Sequence, residues 1–318
     1  MAEGLTARFL EAGHILGATS IQVTVRQNGR ERRLVFSGDL GRWDRPILRD
    51  PAPCPPADVV VMESTYGNRL HEDPAQVEDR LAEVVNDTHA RGGNLVIPSF
   101  AIERAQDVLY YLHRLQEQQR IPHLMVFMDS PMAISVTEVF ERHTELVDEE
   151  MRALLREHHS PFHFPGLKRV QTPEDSKAIN HIRGTVIILA GSGMCTGGRI
   201  KHHLVNNITR PESTILFVGY QAVGTLGRQI VDGAREVRVL GQMHAVRARV
   251  AQIHGFSAHA DRGELVRWLT AGGGRKPEQV LVTHGEPEVA REFAETLARE
   301  GGYTAVVPRY GDTVDVGG

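Results

Sequence analysis

Short apolar runs alternate with amphipathic stretches along this chain. Residues 21–25 and 33–36 are rich in β-branched side chains, and Asn28-Gly29 between them predicts a β-hairpin. From residue 58 onward, apolar runs are followed by stretches with helical periodicity. The predicted strands are 58–62, 94–98, 124–128, 185–189, 214–218, 279–282 and 303–307, and the predicted helices are 74–91, 102–119, 132–143, 148–158, 198–206, 261–271 and 287–300. Strands that alternate with helices are typical of a parallel sheet, so the sequence predicts an α/β fold.

The composition is that of a globular protein without membrane spans. Of the 318 residues, 41% are hydrophobic and 24% are charged, which excludes fibrous and disordered classes. Because no apolar run approaches the roughly 18 residues of a membrane span, we expect no such helix, and we also expect no secretory signal. Cys54 and Cys195 are the only cysteines, which favours a reducing cytoplasm. The formal net charge of -4 argues against a broad basic face for duplex DNA.

Short polar segments, many of them rich in glycine, follow the predicted strands. This is where open α/β sheets build their sites. The segments are AGH at 12–14, SGDLG at 37–41, ESTYG at 63–67, PSFAIER at 98–104, DSPM at 129–132, AGSGMCTGGR at 190–199, GFSAHAD at 255–261 and VTHGE at 282–286. One such segment alone is a weak signal, because a single histidine at a strand end is most often structural. All eight segments in this order are a much more specific signal than any one of them.

In this order the segments resemble the metallo-β-lactamase superfamily and, within it, the β-CASP nucleases. These include the polyadenylation-factor endonuclease and its bacterial and archaeal relatives, and the resemblance covers nearly the whole chain. It implies an incomplete metallo-β-lactamase αββα sandwich with an inserted β-CASP domain of parallel-sheet α/β type. Residues 1–68 and 254–318 would form the metallo-β-lactamase part, and residues 69–253 would form the β-CASP cap.

The resemblance also assigns a two-zinc site. His14, Asp39 and His284 match metal ligands, with Asp39 as the bridge between the metals, while His259 matches a general acid that Glu63 orients. Zinc accepts imidazole and carboxylate ligands, and a zinc pair can activate water against a phosphodiester. The expected activity is therefore zinc-dependent hydrolysis of single-stranded RNA, with endonucleolytic and exonucleolytic cleavage both open.

Several residues are predicted to contact RNA phosphates. Arg104 would offer a charge-assisted contact. The glycine-rich loop at residues 190–199 would precede a helix whose N-terminal N–H groups face a phosphate. The predicted contacts are Ser64, Thr65, Arg104, Ser192, Gly193 and Met194.

Some of these residues have structural interpretations as well. Without the family pattern, Asp39 and Glu63 are equally well explained as caps or turn formers. We interpret His202-His203 as a surface or packing pair, because neighbours on a helix do not face one ligand. For Cys195, in the glycine-rich segment 190–199, a nucleophile is the alternative, but no basic partner is apparent and we interpret it as a small packing residue.

One family motif, His-x-His-x-Asp-His, is absent from this sequence, which contains no His-x-His pair. The remaining ligands fall short of the three or four that tetrahedral zinc takes from protein, so we expect weak or partial zinc binding. The favoured explanation is a nuclease whose other half lies upstream or is separately encoded. A non-catalytic RNA-binding or scaffolding subunit is the alternative, and a small-molecule hydrolase is disfavoured by the insert. Expected partners are single-stranded RNA and either a second copy of the chain or that N-terminal half.

Overall fold

The computed structural model describes residues 3–71, 74–157 and 159–316. The strands in these ranges are β1 (Leu5–Glu11), β2 (Thr19–Gln27), β3 (Arg30–Phe36), β4 (Val59–Met62), β5 (Leu95–Pro98), β6 (Met125–Asp129), β7 (Leu167–Arg169), β8 (Val186–Ala190), β9 (Thr214–Phe217), β10 (Glu236–Val239), β11 (Gln242–Ala245), β12 (Arg249–Gln252), β13 (Gln279–Val282) and β14 (Ala305–Val306). The α-helices are α1 (Pro74–Ala90), α2 (Arg104–Glu117), α3 (Pro131–Arg142), α4 (Glu149–Arg156), α5 (Pro173–Ala178), α6 (Ile200–Asn207), α7 (Leu226–Val231), α8 (Arg262–Ala271) and α9 (Pro287–Gly301).

The chain divides into two compact units. Of the described residues, 3–71 and 258–316 form the first unit, and 74–157 and 159–257 form the second. The domain boundaries after residues 68 and 253 that the motifs suggest stay a prediction.

The first unit is built on a mixed six-stranded sheet in the order β1-β2-β3-β4-β13-β14. The first three strands are antiparallel, and β3, β4, β13 and β14 run parallel. The hairpin predicted at Asn28-Gly29 joins β2 to β3, and both residues have positive φ angles, of 53° and 76°. Two positive φ angles in succession are what a two-residue type I′ turn requires, so this prediction is confirmed.

One face of this sheet carries the core of the first unit. Side chains of β3, β4 and β13 pack with those of α8 and α9, and Trp268 and Phe293 are fully buried among them. The indole N–H of Trp268 donates to the carbonyl of Ala52 at 2.9 Å. Burying each of these large side chains contributes about 2 to 3 kcal/mol, so helix packing fixes the strand ends that carry the site.

The opposite face carries a row of apolar side chains in register across all six strands. Each member pairs with the next across a neighbouring strand; the row is Phe9, Ile21, Phe36, Val61, Leu281 and Val306. Phe9, Phe36 and Val306 have exposed fractions of 65%, 41% and 39%. We call this set the apolar row.

The second unit contains a parallel six-stranded sheet in the order β12-β9-β5-β8-β6-β7. All residues of β5, β8 and β9 are buried, as expected for central strands covered on both faces. Strands β10 and β11 form a separate antiparallel pair. The predicted α/β class, with parallel strands and alternating helices, is confirmed.

The structure also differs from the sequence-based elements. Helix α2 begins at Arg104 rather than at residue 102, because Glu103 has a positive φ of 65° that a helix cannot contain. The helix predicted at 148–158 ends at Arg156, and His158 lies outside the described residues. The short elements β7, α5, α7, β10, β11 and β12 were not predicted, since three to six residues carry too little periodicity.

Candidate functional site

Five side chains of the first unit meet at one edge of its sheet. Asp39, Glu63 and His284 follow β3, β4 and β13, which are parallel neighbours, so their carboxyl ends lie side by side. His14 follows β1, and His259 lies just before α8. The sheet topology thus brings together all five residues assigned to metal binding and catalysis.

Asp39 lies between two imidazoles. Its Oδ2 is 3.8 Å from Nε2 of His14, and its Oδ1 is 3.3 Å from Nδ1 of His284. Each carboxylate oxygen thus faces a different histidine. Asp39 and His284 are 41% and 57% exposed, while His14 is largely buried.

Glu63 is buried and surrounded by donors. Its Oε1 accepts from the Leu40 N–H at 2.6 Å, and its Oε2 accepts from the Thr65 N–H at 3.3 Å. Nδ1 of His259 lies 3.1 Å from Oε2. Burial acts to raise the pKa of Glu63, but the hydrogen bonds and the charge of His259 outweigh it and hold the pKa below its usual value. Glu63 therefore presents an anionic carboxylate to His259.

The ligand-type atoms fall into two overlapping groups. One contains His14, Asp39 and His259, the other contains Glu63, His259 and His284, and in each group these atoms lie within 4.8 Å of one another. Imidazole and carboxylate are the donors that zinc takes in proteins, so the residues fit a zinc site. His259 belongs to both groups, and its geometry therefore suits a metal ligand as well as a proton donor.

His14 is suited to bind metal as a neutral imidazole. Burial and the proximity of His259 lower the pKa of His14 to about 4. A metal ligand must be deprotonated, and His14 meets this condition at neutral pH.

His71 is a contact of this site that sequence reasoning missed. Its Nε2 lies 2.9 Å from the carbonyl oxygen of His259, and its backbone N–H donates to Asp261 at 2.8 Å. Burial and the charge of Arg42 lower the pKa of His71 to about 4. Nothing in the sequence around His71 signals this contact. By contrast, the Asp261/Glu264 capping box that starts α8 is readable in the sequence D-R-G-E.

Ser64 and Thr65 connect the ends of β4 and β13. Ser64 is fully buried, and its hydroxyl donates to the carbonyl of Thr283 at 2.9 Å, so its position does not support the predicted RNA contact. The Thr65 hydroxyl lies 3.3 Å from Nδ1 of His284 and 3.2 Å from the carbonyl oxygen of that residue. The RNA contact of Thr65 stays a prediction. The structure shows that its hydroxyl lies beside His284.

The second unit holds the other predicted RNA contacts. Arg104 is buried, and its Nη1 lies 3.4 Å from Oδ2 of Asp107. The loop with Ser192, Gly193 and Met194 does not lead directly into a helix, since α6 begins at Ile200. The burial of Arg104 and the separation of the loop from α6 mean that the structure supports neither predicted phosphate contact.

The N–H groups at the N-terminus of α6 already have hydrogen-bond partners within the chain. The first N–H groups of α6 donate to carbonyls of Gly191, Gly198 and Arg199. The preceding loop thus folds back onto the first N–H groups of α6, and the predicted phosphate contact at this helix start stays a prediction.

The structure of the second unit agrees with the packing interpretations of His202-His203 and of Cys195. His203 is buried and its Nε2 lies 2.6 Å from Oδ2 of Asp129, whereas His202 is exposed. Cys195 is fully buried, and burial raises the pKa of its thiol to about 12. The two histidines do not have the setting of a metal-binding pair, and Cys195 does not have that of a nucleophile.

Two family models match this chain. Residues 105–230 match the Beta-Casp domain, and residues 243–308 match the Zn-dependent metallo-hydrolase RNA specificity domain. These matches and the α/β architecture define a metallo-β-lactamase fold with an inserted β-CASP domain.

Similar proteins extend over nearly the whole chain. It is 38% identical to the Thermus thermophilus protein named ribonuclease TTHA0252, over 98% of this chain and 70% of that protein. It is 33% identical to the transcription termination factor FttA of Pyrococcus horikoshii, over 95% of this chain and 47% of that protein. An RNase J-like protein of Methanocaldococcus jannaschii is 30% identical over 93% of this chain and 68% of that protein.

The chain therefore belongs to the β-CASP ribonuclease family of the metallo-β-lactamase superfamily, as the motifs indicated. It spans less than half the length of the FttA protein that it matches. No helix among the described residues is long and apolar enough to cross a membrane.

Proposed function

We propose that this chain is part of a zinc-dependent ribonuclease that hydrolyses phosphodiesters of single-stranded RNA in RNA processing or decay. The observation that carries this proposal is the position of Asp39, with one carboxylate oxygen toward His14 and the other toward His284. Family membership supplies the RNA substrate class. Two free, buried cysteines favour a reducing cytoplasm as its location.

The proposed roles follow from the contacts of each side chain. His14, Asp39 and His284 would hold zinc, which when bound activates water and stabilises the charge that develops on the phosphodiester. Nδ1 of His259 faces Glu63, and the other ring nitrogen, Nε2, would donate a proton to the leaving oxygen. The buried carboxylate of Glu63 fixes the orientation of this imidazole for that role.

Two observations support the proposal that the active enzyme contains a further segment. The described residues offer five ligand-type side chains at the site, and two of them, His259 and Glu63, are assigned to proton transfer. Two tetrahedral zinc ions take more protein ligands than this. The exposed side chains of the apolar row form a surface of the kind that marks an interaction site. A segment that carries the His-x-His-x-Asp-His motif would supply ligands and cover this surface.

The experiment compares the 318-residue chain with a protein completed by an N-terminal segment from a family member that carries the missing motif. The completed protein should hold about two zinc ions and cleave single-stranded RNA, while the chain alone binds zinc weakly. Asp39→Asn in the completed protein should lower zinc content and cleavage together. Asp44→Asn, an exposed change in the same loop, is the control and should preserve both.

The ligand shortage also favours the second candidate, a non-catalytic RNA-binding or scaffolding subunit. This candidate is supported if the completed protein binds RNA with neither zinc nor cleavage. Cleavage of a β-lactam or thioester, with none of RNA, would place the protein among small-molecule hydrolases. Elemental analysis, RNA gel assays and spectrophotometric assays of β-lactam and thioester cleavage distinguish the three results.

A further inference from the structure

Phe100 is an exposed aromatic residue at the carboxyl edge of the parallel sheet in the second unit. It lies just beyond β5, and its exposed fraction is 40%. Strand β5 lies between β9 and β8, so the segments that follow these two strands flank Phe100 on both sides. Sites in open α/β sheets form at this edge.

The two flanking segments present glycine to the ring of Phe100. A Cβ atom at Gly193, beyond β8, would lie 2.6 Å from Cδ2 of the ring, which no real contact tolerates. A Cβ atom at Gly219, beyond β9, would lie 3.6 Å from Cε2. The absence of a side chain at Gly193 therefore allows the ring to lie directly against the backbone.

Hydrogen bonds fix this arrangement. The Gln221 side chain is buried, and its Nε2 donates to the carbonyls of Gly193 at 3.0 Å and Gly219 at 3.2 Å. The Ser99 hydroxyl donates to the Phe100 carbonyl at 3.0 Å. A ring that is already held in place loses little conformational entropy when a ligand packs on it.

Further apolar side chains are exposed on segments that follow strands of the same sheet. Ile102 follows β5, Met132 follows β6 and Val223 follows β9, with exposed fractions of 39%, 66% and 73%. Hydroxyls of Ser192 and Thr196, 3.2 Å apart, lie on the segment after β8. Exposed apolar groups and hydroxyls on the segments at one edge of a sheet suit a ligand that has both flat apolar faces and polar edges.

We propose that Phe100 stacks on a nucleobase of single-stranded RNA. This inference rests on the proposed function, because it takes RNA as the ligand and adds the group that the second unit recognises. Unpaired bases expose π faces to aromatic side chains, and stacking is a main source of affinity for single strands. The formal net charge of -4 limits phosphate attraction, so stacking on a rigid ring carries a larger share of the binding.

The test measures binding of the 318-residue chain to two ligands of equal charge: a single-stranded RNA of about 12 nucleotides and an abasic ribose-phosphate chain of the same length. Phe100→Ala should weaken binding of the RNA by at least about fivefold, the lower limit of stacking on one base, and leave the abasic chain within twofold. Met125→Ala is the matched control, since Met125 is 38% exposed at the opposite edge of the same sheet. It should bind both ligands as the parent does.

Phe100→Trp adds a spectroscopic readout. The native Trp43 and Trp268 are buried, so a tryptophan at position 100 would be the exposed reporter. Its fluorescence should be quenched by the RNA and not by the abasic chain. If the parent binds RNA but Phe100→Ala binds both ligands as the parent does, or loses both equally, the stacking is refuted and the proposed function stands. If the parent binds neither ligand, the stacking is refuted for this chain, and RNA cleavage by the completed protein decides the proposed function separately.

Discussion

Nδ1 of His259 lies 3.1 Å from Oε2 of Glu63, although 196 positions separate the two residues in the chain. The contact joins the end of β4 to the segment that precedes α8. Both oxygens of Glu63 also accept backbone N–H groups, from Leu40 and Thr65. One buried carboxylate therefore sets the orientation of His259 and ties together three segments of the site.

The zinc content of single variants separates ligands from proton donors. In the completed protein, His284→Ala should lose zinc and RNA cleavage together, because methyl cannot replace an imidazole ligand. His259→Ala should keep zinc and lower the cleavage rate by about a hundredfold or more, as expected for loss of a general acid. Elemental analysis and single-turnover cleavage give both values.

His89→Ala is the control for these variants, because His89 is exposed at the end of α1. Loss of zinc in His259→Ala would make His259 a ligand, in accord with its membership of both ligand groups. The proton donor would then be a different residue.

Glu63→Gln should destabilise the first unit even without metal. The amide nitrogen replaces an acceptor that receives the Leu40 or the Thr65 N–H, so a buried donor loses its partner at a cost of about 1 to 3 kcal/mol. Urea unfolding of the zinc-free chain measures this change. Glu83→Gln, an exposed change on α1, should alter the free energy of unfolding by no more than about 0.5 kcal/mol. Equal stabilities of the two variants would contradict the assigned contacts of Glu63.

Asp129 should stabilise the second unit in a pH-dependent way. Burial acts to raise its pKa, but hydrogen bonds from His203, Ser176 and Arg199 outweigh it and hold the pKa below its usual value. The carboxylate therefore contributes stability above about pH 4, the pKa of an unfolded aspartate, and loses it as the pH falls below that value. Asp129→Asn should lower the free energy of unfolding at pH 7 by about 3 kcal/mol.

The difference between the parent and Asp129→Asn should shrink as the pH falls below about 4. Asp232→Asn is the control, because Asp232 pairs with Arg228 on the surface and such pairs contribute under about 1 kcal/mol. Urea unfolding at a series of pH values gives the comparison. A constant difference from pH 7 to pH 3 would show that the charge of Asp129 is not what stabilises the fold.

Both cysteines should be unreactive in the folded chain. Burial raises the pKa of Cys54 and of Cys195 to about 12, and only a thiolate attacks a disulfide reagent. An aromatic disulfide reagent at pH 8 should label neither thiol in the native chain and both in guanidinium chloride. Cys54→Ala and Cys195→Ala assign any residual signal. Rapid native labelling of Cys195 would reopen its interpretation as a nucleophile.

The glycine-rich loop shows where local patterns were insufficient. The sequence AGSGMCTGGR predicts a glycine-rich loop before a helix, and α6 does follow it. Whether the helix N–H groups are open depends on how the loop folds back, and the carbonyls of Gly191 and Gly198 occupy them. Arg104 and Ser64 were likewise assigned from motif position, but their burial is decided by residues distant in sequence. Local sequence carries no signal for such contacts.

The sequence by itself determined the α/β class, the hairpin at Asn28-Gly29 and the series of strand-end motifs. It could do so because hydrophobic periodicity and turn chemistry act over a few residues. Only the tertiary structure decided that Asp39 lies between His14 and His284, that His71 contacts the His259 carbonyl, and that Gly193 lies against Phe100. These contacts join segments that are far apart in the chain, and their distances follow from strand order and helix packing rather than from any local pattern.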